Sequence, residues 1–494
     1  MSYVMGVDVG SQSVKGVLLD PGGEHVASAS RGHAMSHPAD GWAEQDPLEW
    51  YRGVAEISRR LVESAGIDAR EVGHLCLSSQ VDGVVAAEAD LTPCRPAIIW
   101  LDRRATAEAA DLAGRVGADR IFAVTGLNAD ASHVAPKIAW LRRHEPDVMR
   151  RAAALPTVGA WLLATFTGVL AQDPANASST MLFDVTAGCW SGELLAAASL
   201  DPALLGAVLP STEVAGTLTA TAARDLGLTV RCQVLVGTGD EHAASVGAGA
   251  VRPGIVADVT GTAEPVAVTA RTPVFDPDRL VETHAHAVPG LLLVENPGFV
   301  SGGSTLWLAG TVLGIGQREL IERAADAPAG AGGVLFLPAL SGSTAPVWDD
   351  GMRGVFAGLS MNHGPAHLAR AVVEGCCYAL RDIVDRLDEL GLMGAEAEIR
   401  VVGGGARSPF WLQVKADVLG REVRAVRGPD RAASGAALLA GLAAGTFASI
   451  DDAVARGVDL DPRPYRPDPH RAELYAEGHA RYRRLFDATR EAMS

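Results

Sequence analysis

The residues best suited to chemistry lie in a short turn near the N-terminus. Asp8 lies at the end of the apolar run 3–9, and the turn that follows contains Gly10, Ser11 and Ser13. Backbone N–H groups and hydroxyls in such a turn suit phosphate oxygens. The nearby carboxylate suits the Mg²⁺ that accompanies phosphates, held through water because Mg²⁺ sheds its waters reluctantly. Strands joined by Gly/Ser turns are common, so this motif needs a partner elsewhere in the chain.

Two further glycine-rich turns lie in the second half of the chain. An apolar strand leads into Gly261 and Thr262, which turn the chain back into a Val/Ala-rich strand. Another apolar strand leads into Gly403, Gly404 and Gly405. Three consecutive glycines give a flat surface without side chains, of the kind that an adenine or ribose needs. The second hairpin repeats the first, which indicates a duplicated unit.

Polar side chains follow two other predicted strands. The apolar run 72–78 leads to Gln80 and Asp82, and the run 232–236 leads to Asp240. In open α/β sheets, ligands gather at strand ends, so this placement is typical of a functional site.

Helices are predicted between these strands, and one glycine-rich stretch divides the chain. Asp46 and Pro47 put an N-cap and a first-turn proline at the start of a helix. The stretch 247–254 lies just after Asp240 and just before the second hairpin. We therefore predict an N-terminal domain over residues 1–247 and a C-terminal domain over residues 248–494.

Two long helices are predicted towards the C-terminus. Apolar residues from Leu368 to Leu387 recur at helical spacing, and the stripe ends near Gly391. The proline- and charge-rich stretch 461–470 is predicted to be a linker, and residues 472–493 to be a final surface helix.

The bulk composition is that of a globular enzyme. The 494 residues are 48% hydrophobic and 20% charged, enough for two sizeable cores. A formal net charge of −17 disfavours nonspecific binding to nucleic acid or to anionic membranes.

Export and membrane insertion are not expected. Six cysteines without a C-x-x-C motif favour a reduced, cytoplasmic setting, and the N-terminus lacks the pattern of a secretory signal. The uncharged stretches 152–171 and 432–450 lack the Leu, Ile and Phe content that drives insertion, so both are predicted to be core helices.

Several longer motifs carry a family resemblance. They are Trp42–Pro47 (W-A-E-Q-D-P), Ser78–Gly83 (S-S-Q-V-D-G), Arg95–Arg104, Gly237–Ala244, and Gly354–Leu359 followed by His367–Glu374. In this order, and with the three glycine-rich turns, they resemble the FGGY carbohydrate kinases, the xylulokinase-like branch in particular. The resemblance runs from Tyr3 to about Ala440.

This resemblance implies an α/β fold and a reaction. The fold is the two-domain ribonuclease H-like ATPase fold of actin, Hsp70 and sugar kinases, with the active site in the interdomain cleft. The reaction is transfer of the γ-phosphate of ATP, with Mg²⁺, to a hydroxyl of a small sugar.

The resemblance also implies roles for individual residues. Asp240 is expected to be the catalytic base, and Asp8 the Mg²⁺ partner through water. The expected sugar contacts are Gln80, Asp82, Asp102 and Glu241. The expected ATP and phosphate contacts are Gly10, Ser11, Ser13, Gly261, Thr262, Gly403, Gly404 and Gly405. Lys15 and Arg407 are weaker candidates for nucleotide contacts.

The substrate side departs from the xylulokinase pattern. That branch shows Gln-Met-His-Gly where this chain has Gln80-Val-Asp82-Gly83. A carboxylate at this position resembles glycerol and erythritol kinases, where it accepts hydrogen bonds from polyol hydroxyls. D-xylulose, converted to D-xylulose 5-phosphate, is the first expectation. A polyol such as erythritol, xylitol or glycerol, or another pentulose, is the alternative.

Other readings stay open. A non-catalytic ATP-binding switch of the actin or Hsp70 kind, or a sugar sensor, is the rival from another class. Gln80, Asp102 and Asp240 favour the enzyme, because a switch needs no hydroxyl-binding pocket. His284 and His286 share a strand face, but no third metal ligand has suitable spacing. A small-molecule partner and a homodimer fit the resemblance, whereas nucleic acid and membrane partners do not.

Overall fold

The N-terminal half is built on a seven-stranded sheet. The computed structural model describes residues 2–394 and 397–493. The strands of this sheet are β1 Tyr3–Val9, β2 Ser13–Leu19, β3 His25–Gly32, β4 Val72–Ser79, β5 Val214–Thr217, β6 Gln233–Leu235 and β7 Thr238–Gly239. Their order is β5-β6-β4-β1-β2-β3, with β7 beside β4. The β1–β2 and β2–β3 pairs are antiparallel, and β1 pairs with β4 in parallel.

The C-terminal half repeats this plan. The strands of its sheet are β8 Ile255–Thr260, β9 Ala263–Ala270, β10 Glu282–Ala285, β11 Leu292–Val300, β12 Glu398–Gly403, β13 Val423–Arg427 and β14 Asp459–Leu460. Their order is β10-β11-β9-β8-β12-β13-β14. Here β8 and β9 form the antiparallel hairpin, and β12 lies parallel to β8. The central hairpins β1–β2 and β8–β9 therefore occupy equivalent places in two related sheets, as their sequences predict.

Helices cover these sheets. In the first half they are α1 Pro47–Ala65, α2 Thr106–Val116, α3 Ala118–Thr125, α4 Val134–His144, α5 Pro146–Arg151, α6 Val158–Thr167, α7 Pro174–Ser178, α8 Gly192–Ala197, α9 Ala220–Leu226 and α10 Asp240–Gly247. In the second half they are α11 Gly302–Leu306, α12 Gln317–Asp326, α13 Pro365–Glu389, α14 Pro409–Leu419, α15 Arg431–Ala443, α16 Ile450–Gly457 and α17 Ala472–Met493. Short two-stranded ribbons join Glu44–Gln45 to Ala97–Ile98, Ala171–Gln172 to Ala207–Val208, Phe183–Asp184 to Cys189–Trp190, and Leu335–Leu337 to Val355–Ala357.

The two halves meet where α10 crosses α15. A Cβ atom added to Gly435 in α15 would overlap the carbonyl oxygen of Ala243 in α10, and one added to Gly247 would overlap that of Arg431. The two helix backbones are therefore in direct contact. On another face α15 packs against β1, where a side chain on Gly6 would overlap the backbone of α15. One helix of the second half thus lies on the sheet of the first.

Several local predictions are confirmed. Helix α1 begins at Pro47, and the Asp46 side chain accepts a hydrogen bond of 3.0 Å from the backbone N–H of Leu48. The apolar stripe predicted after Leu368 lies in α13, and Gly391 follows with a φ of +73°. The predicted final helix is α17, although one face of it is buried through Tyr475, Tyr482 and Phe486 rather than lying wholly at the surface.

The two uncharged stretches contain α6 and α15, which are short and mostly buried, as predicted for core helices. Over residues 2–394 and 397–493, none of the helices combines the length and apolarity that a membrane span requires.

Candidate active site

The first phosphate-binding candidate is the tight turn between β1 and β2. The Gly10 N–H donates to the carbonyl oxygen of Ser13 at 3.2 Å, which closes the turn. Asp8, 4% exposed, accepts a hydrogen bond of 2.7 Å from the Ser78 hydroxyl. Burial, followed by the charge of Asp430, raises the pKa of Asp8 to about 7. A cation bound at this carboxylate would offset both effects.

The second candidate turn, between β8 and β9, is exposed and is supported from below. The Gly261 N–H donates to the carbonyl oxygen of Ala263 at 2.9 Å. The carbonyl oxygen of Thr262 accepts hydrogen bonds from Ser301 and Gly303 at 3.1 and 3.0 Å, where α11 begins. The start of α11 therefore fixes the position of this turn.

The third glycine-rich turn lies beside the second. Gly403 has a φ of +85°, and the Gly404 N–H donates to the carbonyl oxygen of Thr260 at 2.9 Å. Gly403 and Gly404 are exposed, whereas Gly405 is buried and a Cβ there would lie 2.6 Å from the Thr260 side chain. Gly405 therefore permits close packing of the turn, and the open surface belongs to the other two glycines.

Asp240 begins α10 and lies beside the first turn. A Cβ on Gly237, which has a φ of +78°, would overlap the carbonyl oxygen of Leu77, so glycine is required there. The Asp240 carboxylate accepts a hydrogen bond of 3.0 Å from the Glu241 N–H. Burial, then the charge of Asp8, then that of Glu241 raise the pKa of Asp240 well above its usual range.

The charges around Asp8 and Asp240 fit a divalent cation. The two carboxylates repel each other, and Lys15, which lies opposite Asp8 on β2, is already paired with Asp430 at 2.8 Å. In the described part of the chain there is no group of three or more His, Cys, Asp and Glu side chains placed to hold a metal ion. One or two carboxylates with water and phosphate oxygens are what Mg²⁺ prefers.

Gln80 is buried next to the first turn, where its amide N–H donates to the Gln45 side-chain oxygen at 2.8 Å. The Gln45 amide in turn donates to the carbonyl oxygen of Ser11 at 2.6 Å. The Gln80 side-chain oxygen is buried and has no hydrogen-bond partner among the described residues. Since buried acceptors are nearly always paired, this atom is suited to a bound hydroxyl.

Asp82 lies in the left-handed region, with a φ of +60°. His133 Nδ1 lies 3.3 Å from its carboxylate, and Lys137 donates to its carbonyl oxygen at 2.6 Å. Burial alone would lower the pKa of His133, but the charge and hydrogen bond of Asp82, with Glu282 and Asp130, raise it to about 9. Burial lowers the pKa of Lys137 to about 8 against the opposing effect of Asp82.

Neither His133 nor Lys137 is predicted from the sequence to be a site residue. His133 is the N-cap residue of α4, and Lys137 is the fourth residue of that helix. No sequence motif links either residue to Asp82.

Asp102 differs from the other expected sugar contacts. It is fully buried, and its two oxygens accept hydrogen bonds from the Ala43 N–H at 2.6 Å and from Arg104. The Arg104 guanidinium also lies 3.7 Å from the centre of the Trp42 ring. Asp102 therefore holds a packed cluster together, and none of its oxygens is free for a ligand.

Glu241 is joined to a residue that sequence reasoning missed. Its carboxyl group lies beside that of Glu295 in β11, a strand of the second half of the chain. Burial raises the pKa of Glu241 to about 7 and that of Glu295 well above its usual range. His284 Nε2 lies 3.3 Å from Glu295, whereas His286 bonds to the backbone of Ala250 at 3.0 Å. Glu295 lies in a strand that carries no motif, so no pattern in the sequence marks it as a site residue.

Two family models match this chain, one in each half. The model for the N-terminal domain of the FGGY family of carbohydrate kinases matches residues 3–247. The model for the C-terminal domain of the same family matches residues 256–444.

Individual proteins are similar over nearly the full length. A glycerol kinase of Aromatoleum aromaticum is 35% identical over 92% of this chain and 92% of its own. A xylulose kinase of Escherichia coli is 32% identical over 98% of both chains. The crystal structure of a ligand-bound xylulose kinase from Lactobacillus acidophilus has a TM-score of 0.92 at 26% identity, covering 100% of this chain and 99% of its own. The fold is therefore the two-domain fold of sugar kinases, as the sequence predicts.

Proposed function

This chain belongs to the FGGY family of carbohydrate kinases, and we propose that it phosphorylates a small ketose or polyol in the cleft between its two halves. As a member of this family it is an ATP-dependent phosphotransferase that acts on an alcohol group. The observation that carries the proposal is the convergence of Asp8 and Asp240 beside the first glycine turn, next to polar side chains suited to hydroxyls.

Asp240 acts as the general base in this proposal. Its carboxylate takes the proton of the acceptor hydroxyl, whose oxygen attacks the γ-phosphorus of ATP. The bond between that phosphorus and the bridging oxygen breaks, and ADP leaves. Phosphoryl transfer needs alignment and charge neutralisation more than covalent chemistry. Asp240, at the start of α10 and beside Asp8, is placed for this role.

Asp8 would hold Mg²⁺ through water, and the cation would neutralise phosphate charge during transfer. The backbone and hydroxyls of Gly10, Ser11 and Ser13 would bind the phosphates from the first half. Gly261 and Thr262 would bind them from the second half, and Gly403 and Gly404 would support the adenosine. Gly405 would act by packing on Thr260.

D-xylulose is the proposed acceptor, which Gln80, Asp82 and Glu241 would contact. Support comes from full-length relatives that are xylulose kinases. We assign Asp102 to the support of this region, because its oxygens are already used.

A polyol is the second candidate, favoured by one observation. Asp82 presents a carboxylate beside His133, and the neighbouring carboxyl groups of Glu241 and Glu295 add further oxygens, of which Glu295 Oε2 has no partner among the described residues. Such a set suits hydroxyls that donate hydrogen bonds, and it disfavours anionic acceptors by repulsion.

We also propose that the domains divide at residues 1–247 and 248–494. Helix α10 ends at Gly247, and the two family models fall on either side of residue 248.

The test is ADP formation from Mg-ATP with D-xylulose, other pentuloses, xylitol, erythritol and glycerol. Activity on D-xylulose supports the first candidate, and activity only on polyols supports the second. ATP hydrolysis that no sugar increases would favour a switch and contradict the proposal.

A further inference from the structure

A lysine lies fully buried beneath the second glycine turn. Lys415 belongs to α14, and its side chain is 1% exposed. Its ammonium group donates to the Thr260 hydroxyl at 2.6 Å and to the Glu264 carboxylate at 2.8 Å, and it also pairs with Asp258. All three donor positions of the ammonium group are therefore used.

The partners of Lys415 lie on both sides of the turn. Asp258 and Thr260 belong to β8, which enters the turn, and Glu264 belongs to β9, which leaves it. The Thr260 hydroxyl donates to Asp258 at 3.0 Å, so the acidic and hydroxyl partners are themselves connected. One ammonium group thus joins the two strands just below Gly261 and Thr262.

The same cluster reaches the elements around the turn. The Ser301 hydroxyl donates to Glu264, and the Ser301 N–H donates to the carbonyl oxygen of Thr262 at 3.1 Å. On the other side, the carbonyl oxygen of Thr260 accepts from Gly404. The cluster therefore connects the second glycine turn, at Gly261 and Thr262, with the third glycine-rich turn, at Gly403 and Gly404, and with the start of α11.

The ion pairs of this cluster contribute more to the relative position of the two strands than to the free energy of folding. Two buried carboxylates share one ammonium group, and buried ion pairs of this kind contribute little net stability compared with apolar residues of similar volume. Removing only the lysine would leave two unpaired buried charges and would remove the side-chain link between the two strands where they meet the turn.

We propose that Lys415 is a positioning residue that holds the Gly261–Thr262 turn in the geometry that binds the phosphates of ATP. The inference rests on the proposed phosphate-binding function of that turn. Lys415 itself is buried below the turn and contacts the two strands, so it acts through the backbone that it holds.

The test is calorimetric binding of Mg-AMP-PNP and of AMP to the wild-type chain and to Lys415→Met. We expect the Kd for Mg-AMP-PNP to rise by about tenfold or more, because the contacts to the outer phosphates lose their alignment, which corresponds to ~1.4 kcal/mol. The Kd for AMP and the KM for the sugar should change by less than about twofold, because neither ligand has the outer phosphates that the turn would bind. An equal loss for AMP and for Mg-AMP-PNP would overturn the proposal.

A second variant separates positioning from stability. Lys415→Met combined with Glu264→Gln removes one unpaired charge, so thermal stability should recover in part while binding of Mg-AMP-PNP stays weak. Recovery of binding together with stability would show a merely structural role. If the single variant fails to fold, the double variant supplies the same comparison.

Arg370→Met is the matched control. Arg370 forms a buried pair with Glu374 at 2.8 Å, and its other partners, Ala327, Tyr475 and the Phe410 ring, belong to none of the three glycine turns. It should lower stability without changing nucleotide binding. Failure of the wild-type chain to bind Mg-AMP-PNP would instead contradict the proposed function itself.

Discussion

Asp240 lies so near Asp8 that, after burial, the negative charge of Asp8 is the main cause of its raised pKa. Asp8 is the next-to-last residue of the first strand, whereas Asp240 begins the last helix of the same half. Two carboxylates that repel each other, one buried and one half-buried, are unfavourable unless a cation or a donor is bound there. The pair therefore links the proposed base to the proposed Mg²⁺ position.

Asp240→Asn should bind nucleotide and sugar normally but lose activity. The amide keeps the shape of the side chain and cannot accept the hydroxyl proton, so kcat should fall by about 10²–10⁴-fold. Steady-state ADP release measures kcat, and calorimetry measures binding. Asp90→Asn, at an exposed turn, serves as the control. Turnover near that of the wild type would refute the assignment of the base.

Asp82→Asn should weaken use of the acceptor without changing use of ATP. Asparagine tolerates the left-handed backbone at this position, so the change removes the charge and keeps the fold. If a polyol is the acceptor, kcat/KM for it should fall about 10–100-fold, as expected for loss of a hydrogen bond to a charged group. The KM for ATP should not change. Equal effects on ATP and on the acceptor would argue against a sugar-side role.

His133 should make stability depend on pH. Its pKa is raised to about 9 by Asp82, Glu282 and Asp130 in spite of burial, whereas an unfolded histidine has a pKa near 6.5. The folded state therefore binds more protons between these values, and stability should fall as the pH rises. This contribution is fully present below pH ~6.5 and amounts to about 1–3 kcal/mol.

Urea unfolding of the wild type and of His133→Gln at several pH values measures this effect. The comparison between pH 6.5 and 8 is the cleanest, because Lys137, with a pKa lowered to about 8, adds an opposite slope above that range. The difference in unfolding free energy between the two proteins should shrink as the pH rises. A difference that is constant with pH would contradict the charge assigned to His133.

Gly435→Ala should destabilise the protein strongly. The added methyl group would overlap the backbone of α10, and overpacking of this kind costs about 1–3 kcal/mol or more. Gly114→Ala is the matched control, because Gly114 lies in α2 with no atom within 4 Å of the added carbon. That change should instead stabilise the helix by about 0.5–1 kcal/mol. Thermal unfolding of both variants tests the contact, and a neutral Gly435→Ala would show that the helices are farther apart.

The fold and the backbone-based parts of the site could be predicted from the sequence. The glycine turns, the strand ends at Gln80 and Asp240, and the cap at Asp46 each depend on residues close together in the chain. Local patterns of this kind are visible without knowledge of tertiary contacts.

Other parts depend on contacts between distant segments and were not predictable. His133 and Glu295 reach the surroundings of Asp82 and Glu241 from a helix start and a strand interior, where nothing distinguishes them from ordinary core residues. Asp102 is the opposite case. It belongs to a sequence motif, but its carboxylate oxygens already accept hydrogen bonds from Arg104 and Ala43. Lys415 lies in an apolar helix pattern, and its partners come from a hairpin about 150 residues earlier in the chain.

The crossing of α10 and α15 sets how the molecule can move. Since the helix backbones touch at Gly247 and Gly435 with no side chain between them, neither helix can advance towards the other. A rotation of one half against the other would therefore pivot about this crossing. Such a rotation would displace atoms most at the outer edges of the cleft and least beside Gly247 and Gly435.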